Sequence, residues 1–251
     1  MLVTMVLAPL IGVLLALFGA GGGMITVPLL AYGVGLPIKV AIAASLWIVA
    51  SVSLVTVLRK RAWQVIRPKL LLVFAIGGFS GSWIGSYVGL AIPDQLQSVL
   101  FGILVLFVAW WMRRATAVQA SGSDGFVCRC FRTFILALIL GIVTGVLGVG
   151  AGFLIVPALI WLGISDFRVA VAHSLVVITL NATVAGISYL GHIDLDVAPV
   201  LLIAVLAAAG SLIGCRFAGH LPESALRSGF SLLLLIVGAG MLLAPLVRQL
   251  T

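Results

Sequence analysis

Two stretches of this chain combine residues that interrupt a helix with a spacing that a ligand could use. LFGAGGGMITVP runs from Leu17 to Pro28, and LGVGAGFLIVP runs from Leu147 to Pro157. Glycine inside a helix costs about 1 kcal/mol relative to alanine, and proline removes an amide donor. Both stretches are therefore expected to break a helix. A half-helix that restarts after the break begins with free amides and a positive dipole end. Such an end can hold an oxyanion. Gly21, Gly22 and Gly23 in the first stretch, with Gly150, Ala151 and Gly152 in the second, are the candidate anion-binding positions, and the two ends are expected to converge on one anion. Close helix packing through small residues is the competing reading. Neither stretch is a nucleotide loop, because Met24 and Phe153 stand where a P-loop needs lysine.

Polar residues inside apolar runs come next. Ser45, Ser174 and Asn181 can donate hydrogen bonds to the same anion, and Ser174 and Asn181, seven apart, share a helix face. His173 lies beside them. An imidazole titrates near neutral pH, so His173 is a candidate for coupling protons to anion movement; a neutral, packed histidine bonded to a carbonyl is the other reading. Lys39 and Arg168 open two runs at matching places and are expected to form a cationic entrance, on the side opposite the basic loops. Snorkelling to headgroups explains either one alone, and Arg216 admits the same pair of readings. His192, Asp194 and Asp196 read as a solvated cytoplasmic turn. Cys128 and Cys130 are a weak metal signal without further ligands, and Cys215 reads as a small packing residue.

The elements that position these groups must be membrane helices. Of 251 residues, 63% are hydrophobic and 8% charged, against about 25% charged in an ordinary soluble domain. A soluble enzyme, a disordered chain and a disulfide scaffold are excluded. Eight uncharged runs cover 1–38, 40–58, 70–93, 95–112, 133–165, 169–193, 197–215 and 228–247, each long enough to span the hydrocarbon core as a helix. They lack the alternation of barrel strands. The N-terminal run has no basic region before it and no cleavage site, so it is expected to remain as the first span. Gly77, Gly81, Gly85 and Gly89 recur every four residues and predict a helix–helix seam.

The net charge of +8 reports topology rather than nucleic-acid binding. Arg59, Lys60, Arg61, Arg67 and Lys69 flank one loop, and Arg113, Arg114, Arg129 and Arg132 another two spans later. The positive-inside rule makes both loops cytoplasmic, with anionic lipids as their partners. Eight spans then put the N- and C-termini in the cytoplasm.

A shift of 129 residues aligns the halves without a gap. Gly19, Gly21, Gly23, Val27 and Pro28 fall on Gly148, Gly150, Gly152, Val156 and Pro157, and Ala41, Ala43, Ser45 and Leu46 on Ala170, Ala172, Ser174 and Leu175. The predicted architecture is an all-α polytopic membrane protein with about eight transmembrane helices in two tandem four-helix repeats, the first helix of each repeat broken at its Gly-rich segment. Residues 1–112 form the first repeat, 113–132 a basic cytoplasmic linker and 133–251 the second repeat. Four spans per repeat give both the same orientation, about an axis along the membrane normal. A re-entrant hairpin at the glycines is the alternative to a broken crossing. It would turn the chain back and put the 59–69 basic cluster outside, with the 113–132 cluster following it, which the positive-inside rule opposes, so the broken crossing is expected.

The glycine-rich segment ending in proline, the A-x-A-x-S-L pattern after it and the recurrence of both resemble the sulfite exporter TauE/SafE family of membrane permeases. The resemblance covers essentially the whole chain; Ala151 in place of a glycine matching Gly22 departs from strict repetition. It implies a bacterial cytoplasmic-membrane transporter of sulfite, organosulfonates or related small sulfur-containing anions. The residues by themselves reach a small anion as substrate. A secondary transporter that is not an enzyme, has no cofactor and uses protons as a coupling ion is the expectation. An anion channel, a structural subunit of a membrane complex and a membrane-embedded hydrolase are the rivals.

Overall fold

The computed structural model describes residues 2–18, 21–61, 64, 68–115, 130–147, 152–162, 167–193, 196–218 and 222–250. Its elements are α1 (Leu2–Phe18), α2 (Gly21–Pro28) with a π-helical turn after it (Leu29–Gly33), α3 (Ile38–Lys60), α4 (Pro68–Ala91) and α5 (Asp94–Ala115). The second half gives α6 (Cys130–Leu147), α7 (Gly152–Trp161), α8 (Phe167–Leu190), α9 (Val197–Ala218) and α10 (Glu223–Leu250). No strand occurs among the described residues. The protein is thus all-helical. Four helical stretches, Ile38–Lys60, Pro68–Ala91, Arg168–Leu190 and Ala198–Phe217, are long and apolar enough to cross a membrane; shorter apolar helices cover Leu7–Phe18, Asp94–Trp110, Phe131–Leu147 and Ser228–Gly240.

Each glycine-rich stretch divides one long apolar run into two helices. α1 ends at Phe18 and α2 begins at Gly21; α6 ends at Leu147 and α7 begins at Gly152. Pro28 cannot donate to the preceding turn, and the backbone widens directly after it into the π turn. Gly35, at φ +83°, takes a left-handed conformation that side chains disfavour before Pro37 leads into α3.

α3 and α8 form the core. Ala41 to Leu46 of α3 are buried without exception, as are Ala170 to Leu175 of α8. Large apolar side chains on the outer face of α4, among them Leu72, Ile76 and Phe79, are exposed, as a lipid-facing surface requires.

Glycines set the closest approaches between helices. A Cβ on Gly81 would meet Leu138 O at 2.2 Å and one on Gly85 would meet Ile142 O at 2.2 Å, so α4 and α6 touch backbone to backbone. The predicted glycine seam exists. On the other side of the molecule, Gly210 and Gly214 of α9 press on Pro9 and Val13 of α1. These pairs repeat at the 129-residue offset, as do Gly12 on Ala207 and Ser211, and Gly141 on Gly78 and Ser82.

The helix directions differ from expectation. Alternating crossings would make α4 and α8 antiparallel and α3 and α8 parallel. Instead Gly78 and Gly89 of α4 face Asn181 and Tyr189 of α8 in the same order, so these helices run parallel. Trp47 of α3 packs on Gly186 of α8 while Lys60 lies near Arg168, so those run antiparallel. The physical reason is a reversal of the chain at each glycine tract. Lys60 Nζ, at the C-terminal end of α3, donates to Ala16 O near the end of α1 at 2.6 Å, yet the chain enters α3 at its other end. Helix α3 has 23 residues and is therefore about 35 Å long. The segment from Gly21 to Pro37 must return along that length. Likewise Tyr189 Oη, at the end of α8, donates to Gly145 O near the end of α6 at 3.1 Å. The broken crossing and the same-orientation halves are therefore corrected to reversals and oppositely directed halves.

Candidate functional site

The reversals leave two helix ends inside the protein. A helix terminus carries carbonyls without intrahelical donors, and in an apolar surrounding these must be satisfied by side chains. At the end of α1 the donor is the Lys60 ammonium, on Ala16 O. A cation there also matches the negative end of the helix dipole. Arg168, at the start of α8, and Cys215 of α9 lie within electrostatic reach of that ammonium. Phe18 closes the end of α1 against Phe230 of α10, with ring centroids 5.7 Å apart.

At the end of α6 the same task falls to neutral groups. Tyr189, fully buried, donates to Gly145 O, and Gln97 Nε2 of α5 donates to Val146 O. Gln97 also reaches the Tyr189 hydroxyl. Lys60 and Tyr189 are 129 residues apart, as are Ala16 and Gly145. One structural position is thus filled by a cation in the first half and a phenol in the second. Sequence reading took Lys60 as part of a loop cluster and passed over Tyr189 and Gln97. The 129-residue offset, applied to Lys60, would have found Tyr189.

Gly21, Gly22 and Gly23 form the first turn of α2, and Gly152 opens α7; Gly150 and Ala151 lie outside the described residues. Because α3 and α8 are antiparallel, the ends they hold lie at opposite ends of the molecule. The N-termini of α2 and α7 therefore do not converge on one point, which corrects the expected two-ended cradle.

The polar residues separate in the same way. Ser45 Oγ donates to Ile42 O and Ser174 Oγ to Val171 O, both at 2.8 Å. These are matched bonds to the preceding turn, each seven residues into its helix, and the antiparallel packing offsets the two along the α3–α8 pair. His173 is 1% exposed, and its Nδ1 lies 2.9 Å from Val169 O. Asn181 occupies the middle of α8, against Gly78 of α4, where a Cβ would come within 2.5 Å of its carboxamide. Its Oδ1 is buried with no hydrogen-bond partner among the described residues, as is Ser82 Oγ one turn beyond Gly78 on α4.

The expected cationic entrance is not a pair. Lys39 donates to Leu90 O at 2.8 Å and lies 3.9 Å from Asp94, which pins the start of α3 to the α4–α5 corner. Arg168 sits near Lys60, at the other end of α3. That end belongs to the basic loops, so the placement of Arg168 opposite them is corrected. His192 is exposed at the Tyr189 end, its ring 6.1 Å from that of Tyr87. No group of three metal-ligating side chains occurs among the described residues.

Residues 4–241 match the sulfite exporter TauE/SafE family. This chain belongs to that family. It is 31% identical over 225 residues to a protein of Xylella fastidiosa (strain 9a5c) named "Probable membrane transporter protein", covering 86% of each chain. It is 28% identical to "Probable membrane transporter protein YunE" of Bacillus subtilis (strain 168), over 76% of this chain and 80% of the relative. It is also 30% identical to "Probable membrane transporter protein YdhB" of the same organism, over 91% of this chain and 95% of the relative. No solved structure matches the chain. A TauE/SafE-type membrane permease with several apolar helices is a multi-pass membrane protein.

Proposed function

We propose that this permease is a secondary transporter that exports small sulfur-containing anions, such as sulfite or organosulfonates, across the cytoplasmic membrane. The observation that carries the reading is the pair of interrupted helices, each with its end held by a donor from the same structural position. Unwound backbone inside an apolar helical body is tolerated where it is buried in protein or lines a wet cavity, and half-helix N-termini are suited to anionic groups. The amides of Gly21–Gly23 serve the anion at one end of the pathway, and those at Gly150, Ala151 and Gly152 serve it at the other. Ser45, Ser174 and Asn181 line the route between, and His173 is the proton partner.

In this reading the chain crosses ten times, five per half, with the halves inverted about an axis in the membrane plane. What supports it is the opposed direction of α3 and α8 together with contacts that recur at one offset. The reversal also gathers charge. All Lys and Arg except Lys39 and Arg248 then fall at the Lys60 end of the helices or in segments joining them there. The positive-inside rule assigns that end to the cytoplasm and both termini to the outside, the reverse of the count from eight spans.

Purified protein in liposomes loaded with labelled sulfite or an organosulfonate tests the reading. Saturable efflux that responds to an imposed proton gradient is the expected result. The absence of flux for every sulfur oxyanion overturns it, and current that does not saturate replaces it with a channel.

A further inference from the structure

We infer that Lys60 is the cationic ligand of the transported anion at the cytoplasmic end of the pathway. The inference rests on the anion-transport reading and names a residue of its site.

The internal comparison supplies the argument. Lys60 and Tyr189 perform one structural task at equivalent positions, each donating to a carbonyl near the end of a helix that stops at glycines. Tyr189 shows that a neutral hydroxyl satisfies that carbonyl. A charge is therefore not needed to hold that carbonyl. Holding an ammonium away from water is costly unless it is compensated, and a carbonyl compensates it in part. The ammonium carries three donors, of which Ala16 takes one.

A second observation points to a ligand. Antiparallel packing brings Arg168 of α8 within electrostatic reach of Lys60. Arg168 is exposed at the start of its helix, and its positive field adds to that of Lys60 in drawing an anion to this end. The chain resumes with neutral donors soon after the carbonyl that Lys60 holds: α2 starts three residues after Phe18, and the amides of Gly22 and Gly23 belong to its first turn. Two positive side chains and a turn of free amides fit a compact oxyanion with several acceptor oxygens. The Tyr189 end, with a phenol and a carboxamide, fits the same anion less tightly.

The second half provides its own control substitution. Lys60→Tyr installs the residue that already holds the equivalent carbonyl, so the helix end stays capped while the cation is removed. In proteoliposomes with labelled sulfite, Lys60→Tyr is expected to raise KM at least tenfold, with its melting temperature in detergent within a few degrees of wild type. Lys60→Arg is expected to stay within about threefold. Should Lys60→Tyr fail to fold, Lys60→Gln, a smaller neutral donor, takes its place. Sulfite is then expected to raise the melting temperature of the wild type and leave that of Lys60→Gln unchanged. A KM equal to wild type in Lys60→Tyr, or an equal shift by sulfite in Lys60→Gln, reduces Lys60 to a helix cap and overturns the inference, while transport itself stands. Loss of all anion flux in the wild type is a different result and overturns the underlying reading.

Discussion

The two helix ends at the glycine tracts share a backbone plan and differ in chemistry. At one, an ammonium from α3 holds Ala16; at the other, a phenol from α8 and a carboxamide from α5 hold Gly145 and Val146. The common part is what the fold demands, since a carbonyl at an interrupted helix end must find a donor away from water. The part that differs is free to serve function. Positive charge gathers at the Lys60 end, where Arg168 also lies, and the groups that hold the other helix end, Tyr189 and Gln97, are neutral. In the proposed transport reading, one strongly and one weakly attractive end suit loading an anion on one side and releasing it on the other.

The strongest way to break the comparison is to separate the helices that carry the two ends. Gly81→Ala would drive a Cβ to 2.2 Å from Leu138 O, and Gly210→Ala would drive one to 2.0 Å from Pro9 O. Neither neighbour is a side-chain tip that can swing away. Each substitution is expected to destabilise by about 3 kcal/mol, read as a lowered melting temperature in detergent. Equal losses mark the two seams as equivalent; a loss confined to one shows that the halves do not share their packing.

Removing the donors sharpens the comparison. Lys60→Met and Tyr189→Phe each leave a helix-end carbonyl short of a partner. The expected cost is about 1–3 kcal/mol, larger for the charged donor. Thermal melts of both variants check this, and the ordering is the informative part. If Tyr189→Phe costs more, the phenol rather than the ammonium is the tighter cap.

The smallest effect belongs to the corner held by Lys39. Its contact with Asp94 is long, and both side chains are substantially exposed, so Asp94→Asn is expected to change stability by less than about 1 kcal/mol. Transport rates within twofold of wild type would agree with a structural role for this pair. A large change in substrate affinity would return Lys39 to the pathway.

Much of this architecture is legible in the sequence, and the reason it stops where it does is physical. Apolar runs give helices, the helix-breaking chemistry of Gly21–Gly23 and Pro28 marks an interruption, and the four-residue period of Gly77 to Gly89 marks a seam. Each is a local rule. The reversal of direction is not local. Hydropathy measures how much apolar chain is present, and residues 1–38 suffice for one broken crossing or for two short ones. A count from a cytoplasmic N-terminus favours the single broken crossing, whereas Arg168 and Arg216 on the basic side favour two. Lys60 was hidden for a related reason. A lysine that ends an apolar run reads as an interfacial anchor, and only the neighbouring helix reveals that it turns inward to Ala16.

Reversal at the glycine tracts is the claim on which the account turns, and accessibility measures it directly. In a chain whose three native cysteines are replaced, single cysteines at Gln64 and His192 can be probed in intact cells with a membrane-impermeant maleimide. Both positions are exposed, and they follow the ends of α3 and α8. Oppositely directed core helices put them on opposite faces of the membrane, so His192→Cys labels from outside and Gln64→Cys labels only after permeabilisation. Labelling of both from the same side would contradict the reversal and restore eight alternating crossings.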